Sequence, residues 1–461
     1  MRWSRVRRSD VLTGTALGTV TFAVYMLGSG RNYDYDSSET VGTFVATRSL
    51  LDPFRRQDVF NNHPLLSFVD HLVYSAGLHG PTALRVLPVL FAAGAVALVA
   101  GWATRCWGAL AGTCAGAMLA ANPLFAFSSR GVRGYSLVTL SAVASTLLLV
   151  CLLRREGRPA SAGYVIAAAA GVATHLYALL PLAAQAAALL VRGAFDRRWG
   201  GRLGAAIGLG GLAYVGIGAR MVESAQREGE QFRPRFPLTL ARTLLGGTAV
   251  AVVACAVLLV LGSAALRRRE AVAAAVTIAA GIAATWLLLR PADLYPRFFV
   301  WLVPALAFSA AAAVARWPAA AAVACVAVAA LVAADARQWT QNPLPDRQAA
   351  QLVADARTRG DRPCVLPWVR GSLLAYTSAP HEVTRPRRLV RCDVVVGNPA
   401  DARSLRRAAQ RDLPYEWVLR ATTPFLVFSR VPRSTLFARR LPPYLRSRPS
   451  RSSPTHAGGR L

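Results

Sequence analysis

The stretch YVIAAAAGVATHLYALLPLAAQAAALLV, from Tyr164 to Val191, decides how the rest of the chain is threaded. It is longer than the roughly 20 apolar residues that cross about 30 Å of hydrocarbon. Thr174, His175 and Tyr177 lie in its middle. Backbone that leaves the helix at membrane depth needs a cavity or water to satisfy it, so the sequence predicts two short helices that meet at His175.

Apolar runs of spanning length recur on both sides of this stretch. They cover residues 11–27, 85–104, 109–127, 136–153, 203–218, 244–266, 271–289, 298–315 and 318–334. With the split pair they make about eleven transmembrane helices. Arg2, Arg5, Arg7 and Arg8 precede the first run, and no small-residue cleavage site follows it, so it reads as a retained helix rather than a signal peptide. Counting from a cytoplasmic N-terminus, Arg105, Arg154–Arg158, Arg192–Arg202, Arg267–Arg269 and Arg316 all fall inside, as the positive-inside rule expects. Merging the two helices around His175 would put Arg267–Arg269 outside, so loop charge supports the split.

This threading divides the chain into a transmembrane domain over residues 1–334, with a first extracytoplasmic loop at 29–84, an extracytoplasmic α/β domain over 335–432 and a basic, disordered tail over 433–461. Short interfacial helices are expected in the first loop. In the C-terminal part, Gln348–Arg359 and Asp401–Gln410 read as helices, and Cys364–Trp368, Cys392–Val396, Tyr415–Leu419 and Phe425–Phe428 as strands. The expected class is an all-α polytopic protein of a bacterial cytoplasmic (inner) membrane, carrying a small C-terminal α/β domain.

Composition agrees. The 461-residue chain is 54% hydrophobic and only 16% charged, where a soluble domain carries about 25%. Its formal charge of +30 comes wholly from arginine, since the sequence has no lysine. Those arginines sit mostly between apolar runs and in the tail, where topology and anionic membrane lipids account for them. No compact basic-aromatic module appears, which argues against a nucleic-acid partner. The seven cysteines show no zinc spacing, and no metal cage or cofactor motif is evident.

Every notable polar cluster of the membrane part falls on the outer face of this topology. Asp34, Asp36 and Glu39 follow the first span; a helical turn would put Asp36 and Glu39 on one face, either as a general base or as a helix cap. His63-Pro64 lies in the same loop, as a site residue or a turn before an interfacial helix. Arg130, Arg133 and Tyr135 lie after the third span. Arginines there break the positive-inside expectation and suit phosphate, or snorkel to headgroups. Thr174, His175 and Tyr177 mark the break, and Arg297 opens a later helix beside Asp293.

In order and spacing these pieces resemble the C-type integral-membrane glycosyltransferases (GT-C fold), in the family that includes protein O-mannosyltransferases and the lipid A aminoarabinose transferases. The likeness covers about Val11 to Pro304. It rests on the acidic motif Asp36 to Glu39, His63-Pro64, Arg85, the Arg130, Arg133, Tyr135 motif, Thr174-His175-Tyr177, and Arg297-Phe298 before Pro304. The family usually has adjacent Asp-Glu, whereas Ser38 precedes Glu39 here. The resemblance implies a polyprenyl-phosphate-linked sugar donor, a glycan, lipid or protein acceptor, and transfer without a cofactor. Asp36 would be the base, with Asp34 and Glu39 as alternatives. Arg130, Arg133 and Arg297 would hold the phosphate, and Arg85, His63, Tyr135, His175 and Tyr177 would line the site. A flippase for lipid-linked sugars is the next reading, but transporters favour internal repeats and polar groups at mid-membrane. A non-catalytic envelope assembly protein is the third.

Cys364 and Cys392 share the exported domain in this topology, so they are expected to form a disulfide. Thiol labelling checks this: both resist alkylation until reduced, and two free thiols contradict the pairing.

Overall fold

In the computed structural model of the chain, residues 7–30, 33, 35–47, 49–55, 62–154, 157–218, 236–265, 296–340, 353–365, 382–383, 394–397, 415–421 and 426–432 are described. The main chain divides into two units, Met1–Arg31 with Thr47–Asn342, and Asn32–Ala46 with Pro343–Leu461. The C-terminal boundary thus falls a little beyond the expected residue 334. The acidic segment of the first loop groups with the C-terminal unit instead of the transmembrane one.

The first unit is helical because apolar segments can satisfy their backbone only internally. Its elements are α1 (Arg8–Met26), α3 (Asp52–Arg55), α4 (Pro64–Ser75), α5 (Pro81–Trp107), α6 (Ala109–Ala121), α7 (Pro123–Arg130), α8 (Tyr135–Leu152), α9 (Arg158–Thr174), α10 (Leu179–Val191), α11 (Arg197–Gly211), α12 (Phe236–Leu244), α13 (Ala249–Ala265), α14 (Val303–Arg316) and α15 (Ala320–Thr340). The intervening α2 (Tyr35–Thr40) belongs to the second unit. A 3-10 segment, Pro296–Leu302, leads into α14.

The stretch 164–191 breaks where the sequence predicts. α9 ends at Thr174, His175 is extended at φ −159° and ψ 134°, and α10 starts at Leu179 after one 3-10 turn. Tyr164 Oη donates to Gln185 Oε1 at 2.9 Å. In one straight helix those residues would lie about 31 Å apart, at about 1.5 Å per residue. Their contact shows that α10 turns back along α9. Gln185 Nε2 also donates to Ser145 Oγ at 2.9 Å and Thr146 Oγ1 at 3.0 Å, which ties the hairpin to α8.

Several of the predicted runs are interrupted or shifted. Among the described residues four helices are long and apolar enough to cross a membrane, and two bent pairs raise the number to six. The reasons are local. Asn122 accepts from the amides of Leu124 and Phe125 and so caps a new helix at Pro123, bending the predicted run 109–127 by 60° and carrying helix past it to Arg130. Gly246 and Gly247, at φ +94° and +77°, separate α12 from α13, which meet at 87°. α11 begins earlier than expected, where the Asp196 carboxylate accepts from Trp199 N at 2.9 Å, and ends after 15 residues. The predicted span 271–289 lies outside the described residues.

α1 and α5 run side by side through glycines. A Cβ on Gly14 would come 2.6 Å from the Ala97 carbonyl oxygen, and one on Gly101 3.0 Å from that of Asp10. Such small-residue seams let helix backbones touch where lipid offers no hydrophobic drive.

In the second unit the expected α/β pattern is present. A helix at 353–358 precedes β1 (Pro363–Val365), followed by β2 (Glu382–Val383), β3 (Val394–Gly397), β4 (Tyr415–Ala421) and β5 (Leu426–Pro432). The sheet order is β2-β1-β3-β5-β4, with β1 parallel to β2 and β3, and β5 antiparallel to β3 and β4. Cys364 is buried and disulfide-bonded. Cys392, the helix expected at 401–410 and the tail at 433–461 lie outside the described residues.

Replacing Gln185 with Leu strips Tyr164, Ser145 and Thr146 of a partner between three helices. Thermal unfolding in detergent is expected to show a loss of about 1–2 kcal/mol; an unchanged transition would mean the bridge does not hold the hairpin.

Candidate functional site

The break at His175 delivers its ring to one end of the helical unit. His175 Nδ1 accepts from Tyr177 N at 3.1 Å, so a neutral ring carries its proton on Nε2. The short turn 131–134 between α7 and α8 brings Arg133 and Tyr135 to the same place. His63, immediately before α4, comes from the first loop, and Arg297 and Phe298 from the 3-10 segment before α14.

Five rings meet there. His63 lies 4.7 Å from His175 and 4.9 Å from Tyr135, centroid to centroid. Tyr177 stacks on His175 at 4.6 Å and on Phe298 at 3.9 Å. The Arg133 guanidinium sits 6.0 Å from the Tyr135 ring, and that of Arg297 5.9 Å from Phe298. These distances suit aromatic and cation–π contact. Apart from the half-buried Arg297, all of these side chains are buried. Gly134 is what permits the approach: a Cβ there would meet Thr174 Cγ2 at 2.2 Å and His63 Nδ1 at 3.0 Å.

His63 is wholly buried, with no hydrogen-bond partner on either ring nitrogen. Burial pushes its pKa well below the usual histidine range, and His175, Arg133 and Arg297 push it further. The ring is therefore neutral. The cluster offers two imidazoles and two guanidiniums, a lining suited to an anion with an organic substituent. Among the described residues no group of three or more His, Cys, Asp or Glu is placed to hold a metal ion.

Other sequence-predicted residues make contacts of their own. Arg130 Nη1 pairs with both carboxylate oxygens of Asp335, at 2.8 and 2.9 Å, and its guanidinium lies 4.6 Å from the Tyr25 ring. It thereby joins α7, α15 and α1. Breaking a buried pair of this kind strands the remaining charge. Arg85 is buried and donates through Nη1 to the carbonyl of Ser29, pinning the start of α5 to the chain leaving α1. Asp36 and Glu39 lie one turn apart on α2 in the second unit, both half-buried and flanking the fully buried Ser37 and Ser38. Asp34 and Asp293 lie outside the described residues.

Three residues escaped sequence reasoning. Gly134 adjoins residues already singled out. Asp335 meets Arg130 across 205 positions, which no local pattern could reveal. Asp70 was visible as a carboxylate within an apolar helix. It lies seven positions after His63 on the buried face of α4, fully buried and without a hydrogen-bond partner on either oxygen.

Searches against protein-family profiles and curated proteins give no match. Solved structures do. ArnT from Cupriavidus metallidurans bound to undecaprenyl phosphate superposes with a TM-score of 0.64 at 14% identity, covering 91% of this chain and 98% of that one. The apo form of the same protein gives 0.57 at 15% identity with the same coverage.

Burial raises the Asp70 pKa well above the usual carboxylate range. A raised folded-state value means stability is fully present below the unfolded value of about 3.9 and is lost as pH rises toward the folded one. Asp70→Asn is therefore expected to melt above the wild type at pH 8, with the gap closing toward pH 4. A gap independent of pH contradicts a buried, protonated Asp70.

Coverage of nearly the whole of both chains, with the apolar helices, makes this chain a multi-pass membrane protein with the C-type glycosyltransferase fold.

Proposed function

We propose that the chain transfers a sugar from a polyprenyl-phosphate donor to an acceptor hydroxyl on the outer face of a bacterial cytoplasmic membrane, with its N-terminus inside and its C-terminal domain outside. The observation that carries this reading is the meeting of Arg133, Arg297, His63 and His175 around a stack of aromatic rings. Guanidiniums recognise phosphate through planar, bidentate pairing. The rings offer faces to the sugar or the first lipid unit. The fold adds support, because the neighbour ArnT binds undecaprenyl phosphate.

In the proposed reaction a carboxylate takes the proton of the acceptor hydroxyl. The acceptor oxygen attacks the anomeric carbon as the bond from that carbon to the phosphate oxygen breaks. The electron pair leaves on the phosphate, whose growing charge Arg133 and Arg297 stabilise. Attack opposite the leaving group inverts the anomeric centre. Asp36 is proposed as the base from its place in the acidic motif, with Glu39 and Asp34 as the alternatives. His63, Tyr135, His175 and Tyr177 line the site. Arg130 supports the phosphate holders indirectly, through its bond to Asp335, and Arg85 through its hold on the start of α5. Residues 335–432 are proposed to bind the acceptor.

Separate variants divide binding from chemistry. Arg133→Gln and Arg297→Gln are each expected to weaken binding of a polyprenyl phosphate about 10-fold or more, consistent with loss of one charge-assisted pair. Asp36→Asn with Glu39→Gln is expected to keep that binding and abolish transfer. Full transfer by the double carboxylate variant contradicts the mechanism; unchanged binding by both arginine variants contradicts the site.

A further inference from the structure

The two imidazoles of the cluster are held differently. His175 is fixed by a hydrogen bond, from Tyr177 N to its Nδ1 at 3.1 Å. His63 is 0% exposed, and neither of its ring nitrogens has a hydrogen-bond partner. Buried polar groups are almost always paired, so two unpaired nitrogens on one buried ring call for an explanation in function.

The His63 ring is well placed all the same. Its edge meets the Tyr135 ring at 4.9 Å and it lies 4.7 Å from His175. Its backbone is set by both neighbours. Asn62, 1% exposed, donates through Nδ2 to the Pro53 carbonyl at 2.8 Å and accepts from Ser67 Oγ at 3.4 Å. That clasp ties the chain before His63 to α3 and α4, whose Phe54 and Phe68 rings also meet at 5.5 Å. Pro64 fixes the chain on the other side by its locked φ, and Ser67 N donates to the His63 carbonyl at 2.8 Å. The ring is therefore positioned in advance, with its own hydrogen-bonding capacity unspent.

The chemistry of the ring narrows its partner. A neutral imidazole offers one N–H donor and one bare acceptor nitrogen. Nδ1 lies against Gly134, where a Cβ would come within 3.0 Å, so Nε2 is the atom left to meet a ligand. A hydroxyl both gives and takes a hydrogen bond and can pair with Nε2 in either tautomer. An ionised phosphate oxygen only accepts, and pairs with one tautomer alone. The rest of the lining is aromatic, from Tyr135, Tyr177 and Phe298. A few polar atoms in such a lining are what orient a ligand and give specificity.

We propose that His63 Nε2 hydrogen-bonds a hydroxyl of the donor sugar, so that it selects the sugar and does not hold the carrier phosphate, and that Asn62 is the positioning residue that sets the ring. This rests on the reading of the cluster as a donor site.

The test measures binding to the full-length protein in detergent by native mass spectrometry. The probes are undecaprenyl phosphate, a panel of undecaprenyl-phosphate hexoses and pentoses, and analogues of the best-bound member that each lack one hydroxyl. The wild type is expected to bind one of these analogues about 10-fold more weakly than its parent, the effect of one lost hydrogen bond. His63→Phe is expected to bind that analogue and the parent alike, and to bind undecaprenyl phosphate as the wild type does. His63→Gln, whose amide can give or take the same bond, is expected to restore part of the preference. Asn62→Ala is expected to reduce the preference and leave undecaprenyl phosphate binding unchanged, a pattern that general loosening of the fold does not produce. A wild type indifferent to every hydroxyl overturns the proposal, and that arm needs no variant. So does a His63→Phe protein that keeps the preference, or one that elutes normally and loses undecaprenyl phosphate, which assigns the ring to the phosphate. Full preference in Asn62→Ala overturns the positioning role. A wild type that binds no undecaprenyl phosphate overturns the donor-site reading itself, and this proposal with it.

Discussion

The extended backbone of His175 is the constraint on which the rest of the molecule depends. One residue leaves the helix, its own side chain takes the amide of Tyr177, and the chain reverses. The reversal sets the direction of every later helix. It also presents His175 and Tyr177 at one end of the bundle, where His63, Tyr135 and Phe298 close around them. The hairpin is held at mid-length by Tyr164 and Gln185, so the polar break at its tip and the polar clasp along its arms belong to one device.

Burial gives this end its chemical character. A histidine removed from water and placed beside two guanidiniums gives up its proton, so His63 adds no charge of its own. The cationic groups of the cluster are then Arg133 and Arg297, each lying against an aromatic ring. Arg130, close in sequence to Arg133, is itself paired with a carboxylate. Its carboxylate partner arrives from the end of the last described transmembrane helix, so it works as a strut between the first, the bent and the last helix.

Much of this was legible in the sequence, for particular reasons. Apolar length and loop arginines give the membrane architecture, and the Thr174-His175-Tyr177 interruption locates the reversal. Short apolar runs between polar residues mark the strands of the C-terminal unit, and each described strand overlaps its predicted run except β2, which is two residues long. The individual crossings were less legible. An Asn-Pro pair inside an apolar run bends the helix without altering its hydropathy, and Gly246-Gly247 turns a helix within a run that reads as continuous. Position in the motif did not separate Arg130 from Arg133, since only the distant Asp335 tells them apart. Asp70 was overlooked because its surroundings, not its neighbours in sequence, make it unusual.

The central claim is that the aromatic and arginine cluster serves a lipid phosphate leaving group. Its most direct test is to incubate the purified protein with a small panel of polyprenyl-phosphate sugars and an acceptor, and to follow free polyprenyl phosphate and glycosylated acceptor by mass spectrometry. The account predicts that at least one donor yields both products in equal amounts, with the anomeric configuration inverted. Movement of the intact donor across the membrane without cleavage would contradict it.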